Sequence, residues 1–424
     1  MTPAALMAAI DAAHCKDASW SGERPLAVYV HIPFCAAKCH FCDWVVDVPV
    51  GRLRSTESGR RDYLLALRQQ ISRYGPLLTR MGYRPACMYW GGGTPTRLNE
   101  GEILSIAAAL DDSFDLSGLK QWSMETTPYD LTAAKLEAAR AAGVNRISIG
   151  VQSFNPDQLR RSGRRHTPGQ NASAVAMIRA VGFDNFNVDL ICGFPGESHE
   201  SLRDTLAQAI ALDPPHISVY PYRATPKTVM AMQLERHIME AFTPAVMIDA
   251  YELAMTMLGQ AGYYEYCHGY WVRSPEHEDI DGNYKYDLSG DKIGFGSGAE
   301  SIIGHHLLWN ENGKYAEYLA HPDRFTFAHR FSLREPQYLT APVGGALMTR
   351  EGIVFERFSR LTGLSFHDLR ETAQLRRWLQ MLADCGGRFV EDRVSLRLAP
   401  DSIHRAYINH LAYTTGAGLE VARA

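Results

Sequence analysis

The stretch YVHIPFCAAKCHFC, residues 29–42, places a run of β-branched and aromatic residues directly before three closely spaced cysteines. Such a run predicts a buried β-strand. The cysteines, Cys35, Cys39 and Cys42, then follow at the carboxyl end of that strand. Because thiolates are soft ligands that suit zinc or iron-sulfur clusters, the stretch predicts a metal centre on a strand-end loop.

The absence of a fourth nearby cysteine leaves two kinds of metal centre open. A closed structural zinc site normally has four protein ligands, and His31 or His40 would complete one here. In a [4Fe-4S] cluster, the three thiolates would instead bind three irons and leave the fourth iron open. An open iron can bind a substrate or a cofactor, whereas a closed zinc site cannot.

The pattern of a strand followed by a polar loop is repeated along the first half of the chain. Alanine- and leucine-rich segments separate the strands, and one of them, LTAAKLEAARAAG, ends at Gly143, as expected at a helix C-terminus. Strands that alternate with helices imply a parallel sheet with right-handed crossovers. We therefore predict an α/β fold, a partial (β/α)6 TIM-like barrel of parallel strands. The predicted strands are residues 27–34, 86–93, 121–128, 146–153, 185–195 and 216–223.

The pattern changes after about residue 230, where a long helical segment leads to aromatic and glycine-rich segments. Near the C-terminus, LRRWLQMLADCGGRFVEDRVSLRLAP predicts a helix, a turn and a short hairpin, as in a small winged-helix-like α+β domain. We predict an N-terminal extension (1–24), the barrel (25–230), a barrel extension (231–334) and this C-terminal domain (335–424).

Composition and charge exclude several classes of protein. The 424 residues carry a formal charge of −4, so no global basic field attracts nucleic acid or an anionic membrane. No apolar run approaches the roughly 20 residues that span a bilayer, and the N-terminus has an acid where a signal peptide has lysines. Five of the eight cysteines are scattered singly, which favours reduced thiols. We expect a cytoplasmic protein with neither nucleic-acid nor membrane partners.

The C-x3-C-x2-C spacing, with an aromatic residue before the last cysteine, resembles the radical S-adenosylmethionine (SAM) enzymes. The segments YVHIPFC, YWGGGTPT, METTP, ISIGVQS and NVDLICGFPGE occur in the order found in the branch typified by oxygen-independent coproporphyrinogen III oxidase, over about residues 25–300. The resemblance implies a [4Fe-4S] cluster whose open iron binds SAM, and whose electron cleaves SAM to methionine and a 5′-deoxyadenosyl radical.

The resemblance also implies residues that bind the first SAM at the strand ends, the edge where parallel barrels build their sites. The glycines of GGGTP would hold the SAM amino group, although the same motif fits an ordinary strand-to-helix turn. The choice between Arg164 and Arg165 as the partner of the SAM carboxylate is open, and we select Arg165. The residues expected at the cluster and at the first SAM are Cys35, Cys39, Cys42, Tyr29, Gly91, Gly92, Gly93, Thr94, Glu125, Gln152, Arg165 and Asp189.

Two departures from related motifs narrow the expected function within this branch. The porphyrinogen oxidase motif continues C-x3-C-x2-C-x-C, but Trp44 stands at the last position here. The heme-chaperone relatives carry H-N-x-x-Y-W, whereas residues 282–287 are GNYKYD. The segment FCDW most resembles the class C radical SAM methyltransferases and the related cyclopropanases.

Resemblance to that class implies two SAM molecules bound at once. The radical from the first would activate the methyl group of the second, and a methylene unit would be added to an sp2 carbon of a natural-product substrate. Aromatic faces suit a sulfonium cation, so YYEYCHGYW (263–271) and GDKIGFGSGAES (290–301) are candidate second-SAM segments, although a core strand and tight turn are the simpler interpretation. The residues selected there are Tyr266, His268, Ile293 and Gly294.

The same resemblance sets the expected partners and the alternative functions. We expect a small reduced flavodoxin or ferredoxin as the electron donor, and a partner methyltransferase if the product is a cyclopropane. The alternatives are a coproporphyrinogen III oxidase-like enzyme and a non-enzymatic heme chaperone. Glu265, Tyr266 and His268 are candidate bases, and the sequence favours none of them.

Overall fold

The computed structural model of the protein describes residues 2–14, 23–44, 46–48, 57–226, 228–237, 243–286, 290–303, 306–310, 315–325, 327–332 and 340–414. Two features of the sequence predictions lie outside these ranges. They are Asp287 of the GNYKYD segment and the boundary predicted between residues 334 and 335.

Six parallel strands in sequence order form the centre of a twelve-stranded sheet. Helices connect the successive strands, as right-handed crossovers between parallel neighbours require. Each strand begins and ends within a few residues of its predicted position, so the predicted α/β partial barrel is confirmed. The strands are β1 Arg24–Ile32, β2 Tyr83–Gly92, β3 Gln121–Thr126, β4 Arg146–Gln152, β5 Phe186–Cys192 and β6 His216–Pro221.

Further strands extend the sheet at both edges of the barrel. At one edge β9 pairs in parallel with β1, and three antiparallel strands follow it. At the other edge β8 pairs antiparallel with β6, and β7 pairs with β8. These strands are β7 Tyr264–Cys267, β8 Tyr270–Val272, β9 Asp291–Phe295, β10 Glu300–Ile303, β11 His306–Asn310 and β12 Phe327–Ser332.

The helices of this part of the chain begin at recognisable caps. Asn99 forms a capping box with Glu102, and Thr132 and Ser198 each accept a backbone N–H of the first helical turn. Gly143, at φ +103°, follows α4 as the sequence predicts. The helices are α1 Pro3–His14, α2 Glu57–Arg80, α3 Glu100–Asp111, α4 Ala133–Ala141, α5 Pro156–Arg161, α6 Pro168–Ala180, α7 His199–Ala211, α8 Val229–Glu235, α9 Pro244–Gln260, α10 Ile280–Tyr286 and α11 Tyr315–Ala320.

Helix α8 spans residue 230, where the sequence predicts a boundary between the barrel and its extension. The strands on both sides of that boundary belong to one sheet, so the extension continues the barrel rather than forming a separate layer. Among the described helices, none combines the length and the apolar composition needed to cross a membrane.

The two faces of the parallel sheet differ in chemistry, because successive residues of a strand point to opposite faces. The outer face packs against the helices and is apolar: Val28, Trp90, Trp122, Ile147 and Val188 are buried in the main core. The inner face carries hydroxyl, amide and carboxyl groups. Its residues include Tyr29, Tyr89, Glu125, Ser148, Asn187, Asp189, His216, Ser218 and Tyr220.

The C-terminal segment forms a small α+β domain with its own apolar core and an antiparallel sheet in the order β13-β15-β14. The helix, turn and hairpin predicted there are confirmed. The final helix docks on α9, where Arg405 and His404 contact the Glu252 carboxylate at 2.6 and 3.2 Å. The elements are α12 Thr340–Leu347, β13 Ile353–Val354, α13 Phe355–Thr362, α14 Phe366–Arg370, α15 Ala373–Asp384, β14 Phe389–Glu391, β15 Ser395–Leu398 and α16 Ile403–Thr414.

Candidate active site at the carboxyl ends of the strands

The cysteine loop leaves β1 at Pro33 and is anchored by backbone hydrogen bonds. The Cys35 N–H donates to the Asp47 carbonyl at 2.9 Å, and the His40 N–H donates to the Ser162 carbonyl at 2.9 Å. The His40 carbonyl accepts the Met230 N–H at 2.9 Å. The three thiols of the loop are half-buried, so the loop holds them at a fixed place beside the barrel opening.

The surroundings of the thiols show what kind of centre they fit. Burial raises the pKa of Cys35 to about 11 and that of Cys42 to about 12, so these thiols need a bound cation to stay deprotonated near neutral pH. Among the described residues, no three His, Cys, Asp or Glu side chains converge as they do around a single metal ion. A four-iron cluster asks for no such convergence, since each thiolate binds a different iron.

Of the adjacent arginines Arg164 and Arg165, Arg164 is the one that faces the cysteine thiols. Its Nη1 donates to Cys39 Sγ at 3.5 Å, and its Nη2 donates to the Gly150 carbonyl at the end of β4. Arg165, selected from the sequence, is exposed, and no contact with the loop is recorded for it among the described residues. The turn after α5 therefore directs Arg164, the earlier of the two arginines left open by the sequence, toward the cysteine loop, and the selection of Arg165 as the partner of the SAM carboxylate stays a prediction.

The glycines at the end of β2 let two strand ends approach closely. A Cβ on Gly92, at φ +104°, would lie 2.5 Å from the His31 ring, and one on Gly93 would lie 2.6 Å from the Pro33 carbonyl carbon. Thr94 completes the turn, with its Oγ1 3.6 Å from Cys35 Sγ. The turn thus brings the backbone of GGGT directly beside the cysteine loop, where it can bind a ligand of the cluster.

Glu125 and Asp189 lie on the inner face, below the glycine turn. The Tyr89 hydroxyl donates to Glu125 at 2.9 Å, while Ser148 and Asn187 donate to Asp189 at 2.9 and 2.7 Å. Burial, together with the charge of Asp189, raises the pKa of Glu125 to about 7, and burial also raises the pKa of Asp189. Two carboxyl groups held this way favour a cationic or hydroxyl-rich ligand.

Gln152 ends β4 in a left-handed conformation, at φ +70°. A non-glycine residue seldom adopts this region, and here it turns the chain out of the sheet. The amide folds back over Gly150, since a Cβ on that glycine would lie 2.9 Å from Gln152 Nε2. Gln152 and Arg164 therefore lie on the same side of the strand end.

Tyr29 lies on the inner face of β1, among aromatic and charged neighbours. Its ring stacks on Tyr89 with centroids 6.2 Å apart, and the Lys292 ammonium is 5.2 Å from the ring centroid. The Tyr29 hydroxyl is 3.4 Å from His31 Nδ1. Burial raises the pKa of Tyr29 well above its ordinary value, so the hydroxyl stays protonated at neutral pH.

The structure separates two residues selected for a second SAM. Tyr266 bonds inside the barrel, to His216 Nε2 and to the Asp279 N–H, both at 2.9 Å. His268 instead packs beneath the C-terminal domain, stacked on Tyr251 at 4.8 Å and edge to face with Tyr407 at 4.2 Å between ring centroids. Within the described part of the chain, Tyr266 and His268 share no ring neighbour.

His268 has an unusual environment for a buried polar side chain. Neither ring nitrogen has a hydrogen-bond partner among the described residues, and burial lowers the pKa of His268 to about 3. The neighbouring Glu265 accepts a hydrogen bond from Tyr251 and another from the Gly269 N–H at 2.8 Å. Glu265 and His268, two of the three candidate bases, thus both lie against Tyr251 of α9.

Ile293 and Gly294 lie on β9, level with Val28 and Tyr29 of β1. The Ile293 side chain is buried in the outer core, so the backbone of this residue, rather than its side chain, would contact an adenosine. Gly294 is on the inner face next to Tyr29, and a Cβ there would lie 2.5 Å from the Glu300 carbonyl oxygen. A glycine is required at this position whether or not a ligand is bound.

Sequence analysis missed the buried ion pairs at the base of the barrel. Lys292 contacts Asp281 at 2.7 Å, and Arg146 lies 3.8 Å from Asp279. Asp281 belongs to α10, which lies inside the barrel. The segment that supplies this carboxylate has no recognisable motif. The sequence feature that marks these carboxylates is the acidic run EHEDID, but such a run is more typical of a solvated turn than of a buried ion pair.

Comparisons with known proteins agree with this arrangement. A family model described as the radical SAM superfamily matches residues 29–209. The oxygen-independent coproporphyrinogen III oxidase of Escherichia coli (strain K12) is 31% identical over 301 residues, which cover 68% of this chain and 64% of that protein. The match therefore spans less than two thirds of the length of that relative.

Two further relatives extend the comparison. The heme chaperone HemW of Mycobacterium tuberculosis (strain ATCC 25618 / H37Rv) is 33% identical over 299 residues, covering 70% of this chain and 75% of that protein. A solved structure of coproporphyrinogen III oxidase (HemN) from Escherichia coli has a TM-score of 0.72 and 26% identity, and covers 93% of this chain and 90% of that chain. These relatives carry the names of the predicted alternatives and not of methyltransferases. The protein belongs to the radical SAM superfamily, which uses a [4Fe-4S] cluster and SAM, and it is similar to the coproporphyrinogen III oxidases and HemW heme chaperones.

Proposed function

We propose that the protein is a radical SAM methyltransferase or cyclopropanase that transfers a methylene unit from a second SAM to an sp2 carbon of a small-molecule acceptor. Bound to the loop of Cys35, Cys39 and Cys42, the cluster supplies the electron that cleaves the first SAM. The remaining tasks, which are binding, orientation and exclusion of water, belong to side chains of this chain.

The observation that carries this proposal is the acidic and aromatic interior of the barrel. The described carboxylates of this interior are Glu125, Asp189, Asp279, Asp281 and Glu300, and its described cations are Arg146, Lys285 and Lys292. Arg146 and Lys292 are paired with Asp279 and Asp281, so the three carboxylates Glu125, Asp189 and Glu300 remain, against Lys285 and, at the strand ends, Arg164. An acidic interior lined by tyrosines suits sulfonium cations better than it suits an acceptor with several carboxylates.

In the proposed complex, the first SAM lies between the cysteine loop and the inner face. The Arg164 guanidinium, already 3.5 Å from Cys39 Sγ, pairs with the SAM carboxylate, and the backbone of Gly91 to Gly93 receives its amino group. Glu125 accepts hydrogen bonds from the ribose hydroxyls, and Asp189 lies toward the adenosine. A bound cation and hydroxyl donors would lower the raised pKa of Glu125 and stabilise its ionised form.

In the same proposed complex, the second SAM binds against aromatic side chains that line the barrel interior. Tyr29 and Tyr89 stack at 6.2 Å, and the Tyr220 and Tyr270 rings meet edge to face at 5.9 Å. Ring faces of this kind attract a sulfonium through the ring quadrupole. Gly294, beside Tyr29, keeps that space free of a side chain.

The comparisons with known proteins favour a second candidate function, and they do so more directly than they favour methylene transfer. The relatives are named as coproporphyrinogen III oxidases and heme chaperones, so this chain is a candidate for oxidation of a porphyrinogen or for heme binding. Trp44, in place of the further cysteine of the oxidase motif, and the GNYKYD segment distinguish it from both. The Trp44 side chain is 49% exposed beside the cysteine loop.

The experiment uses SAM deuterated on its methyl group. The protein is reconstituted anaerobically with iron and sulfide and reduced with dithionite, and its 5′-deoxyadenosine is examined by mass spectrometry. The proposal expects deuterium in the 5′-deoxyadenosine, because the hydrogen comes from the methyl group of the second SAM. Cys39→Ala should abolish the product, while Cys385→Ala, a half-buried thiol of the C-terminal domain, should leave it unchanged.

Unlabelled 5′-deoxyadenosine would contradict methylene transfer and would favour the second candidate. Titration with heme and incubation with coproporphyrinogen III then separate the two forms of that candidate. A stoichiometric change in heme absorbance without SAM cleavage indicates a chaperone, and loss of carbon dioxide from the porphyrinogen indicates an oxidase.

A further inference from the structure

A basic groove lies on the outer surface, between α2 and α3, outside the barrel interior. Its cavity volume is about 740 Å³. The residues that line it come from both helices and from the turn before α3. They include Arg60, Arg61, Leu65 and Arg68 of α2, together with Asn99, Glu102 and Ser105.

The charge of this basic groove contrasts with the net charge of −4 of the whole chain. Arg60 pairs with Glu102, through Nε at 2.9 Å. Arg61 and Arg68 are exposed, and no carboxylate among the described residues forms an ion pair with either of them. The groove therefore presents two uncompensated cations to solvent.

Exposed apolar side chains accompany these cations. Leu65 lines the groove and is 47% exposed, while Leu104, on α3 outside the groove lining, is 43% exposed. Arginines around exposed apolar side chains are typical of protein interfaces. The composition thus favours a protein partner over a small anion.

Arg60, in the wall of the basic groove, makes two contacts that connect the groove to the cysteine loop. The Arg60 guanidinium lies 4.9 Å from the ring centroid of Phe34, the residue that directly precedes Cys35. Arg60 Nη2 also donates to the Arg97 carbonyl at 2.5 Å, in the turn that begins at Thr94. Thr94 Oγ1 is itself 3.6 Å from Cys35 Sγ. A partner seated in the groove would lie behind the thiol of Cys35.

We propose that the basic groove is the docking surface of an acidic one-electron carrier protein. The carrier is oxidised by one electron and the cluster beside Cys35 is reduced by one, which is the electron that SAM cleavage consumes. Opposite charges steer such a partner to the groove and increase its rate of association. The inference rests on membership in the radical SAM superfamily, and it is independent of which acceptor chemistry the enzyme performs.

The test uses the full chain and flavodoxin, a small acidic flavin protein, as the probe. Arg61→Glu with Arg68→Glu reverses the charge of the groove, and the matched control reverses Arg376 and Arg377, two exposed arginines on α15 of the C-terminal domain. Binding is measured by titration calorimetry at low salt, before and after reconstitution with iron and sulfide. The formation of 5′-deoxyadenosine is measured in parallel, with reduced flavodoxin or with dithionite as the reductant.

The groove variant should bind flavodoxin at least tenfold more weakly and should lose flavodoxin-supported product, while the dithionite-supported rate stays within twofold. The control variant should match the native protein, and raising the salt concentration should reduce the difference between the two variants. Equal flavodoxin affinity in the native protein and the groove variant would overturn the proposal. If the charge-reversed protein also lost the dithionite reaction, calorimetry on Arg61→Gln with Arg68→Gln would decide. Since 5′-deoxyadenosine forms with either acceptor, failure here is distinguishable from failure of methylene transfer.

Discussion

The two faces of the parallel sheet are built from the same strands, but one face is apolar and packs against helices while the other is polar and lines the barrel interior. The outer face buries Trp90, Trp122 and aliphatic side chains against the helices, and it contributes most of the apolar core. The inner face holds carboxyl groups whose pKa burial has raised, as for Glu125 and Asp189. The outer face stabilises the fold. The inner face buries polar groups at a cost in free energy, and a bound ligand that pairs with them would reduce that cost.

The largest expected effect on stability lies on the outer face. Trp122→Ala removes a fully packed indole whose ring is 5.7 Å from that of Trp90, and it should lower the free energy of unfolding by about 3–5 kcal/mol. Urea unfolding followed by circular dichroism measures the loss. Glu125→Gln, three residues further along the same strand, should cause no such loss at pH 7, because burial already disfavours the ionised carboxylate that it removes. Equal losses for the two variants would contradict the division between the faces.

The next effect concerns the ion pairs at the base of the inner face. Lys292→Met leaves the Asp281 carboxylate buried without its partner, which should cost about 3 kcal/mol of unfolding free energy. The double variant Lys292→Met with Asp281→Leu should recover much of that loss, since neither charge then remains. Arg388→Met, at an exposed ion pair of the C-terminal domain, is the control and should have little effect. A single variant as stable as the native protein would show that the pair lies in a solvated site.

A matched pair of arginines tests the site at the strand ends. Arg164→Ala removes the guanidinium beside Cys39 and should lower kcat/KM for SAM cleavage by on the order of 100-fold, as expected for a lost charge-assisted pair. Arg165→Ala, one residue later and exposed, should stay within about twofold. Initial rates of 5′-deoxyadenosine formation at several SAM concentrations provide the comparison. If Arg165 proved the more sensitive position, the proposal that Arg164 pairs with the SAM carboxylate would be wrong.

The smallest effect is a pH dependence of stability. Burial raises the pKa of Glu125 to about 7 in the folded protein, from an ordinary value of 4.5. The folded state then retains a proton that the unfolded chain has lost, so this contribution is complete below pH 4.5 and disappears as the pH rises through 7. Glu125→Gln should therefore gain stability relative to the native protein between pH 5 and pH 8, by about 1–3 kcal/mol.

The control for that pH dependence is Glu137→Gln, an exposed glutamate on α4. Its stability difference from the native protein should be flat over the same range. Unfolding curves recorded at each pH without SAM test both variants. A Glu125→Gln difference that did not change with pH would mean that the carboxyl is solvated in the folded state.

The parts of the fold that depend on local pattern could be predicted from the sequence. Each parallel strand is a short apolar run with turn residues at its end, so the strands and the position of Gly143 after α4 follow from spacing. The strand-end placement of Glu125 and Gln152 follows from the same logic, because carboxyl ends of parallel strands meet at one edge.

The remainder depends on tertiary contacts that no local pattern encodes. Arg164 and Arg165 are adjacent and chemically identical, and only the turn after α5 decides which faces Cys39. Tyr266 and His268 are two residues apart, but an irregular pairing of β7 with β8 and the docking of α16 give them different neighbours. Asp281 of α10 pairs with Lys292, and Asp279, just before the helix, lies beside Arg146, so contacts between residues distant in sequence hold this segment inside the barrel.

If the loop of Cys35, Cys39 and Cys42 binds a cluster with one iron open to SAM, the spectrum of that cluster must respond to SAM. Electron paramagnetic resonance of the anaerobically reconstituted, dithionite-reduced protein, recorded before and after SAM is added, measures this response. We expect a reduced [4Fe-4S] signal whose g values shift when SAM binds, and a much weaker shift in Arg164→Ala. A signal that SAM leaves unchanged, or a protein that holds zinc and no cluster, would contradict this expectation.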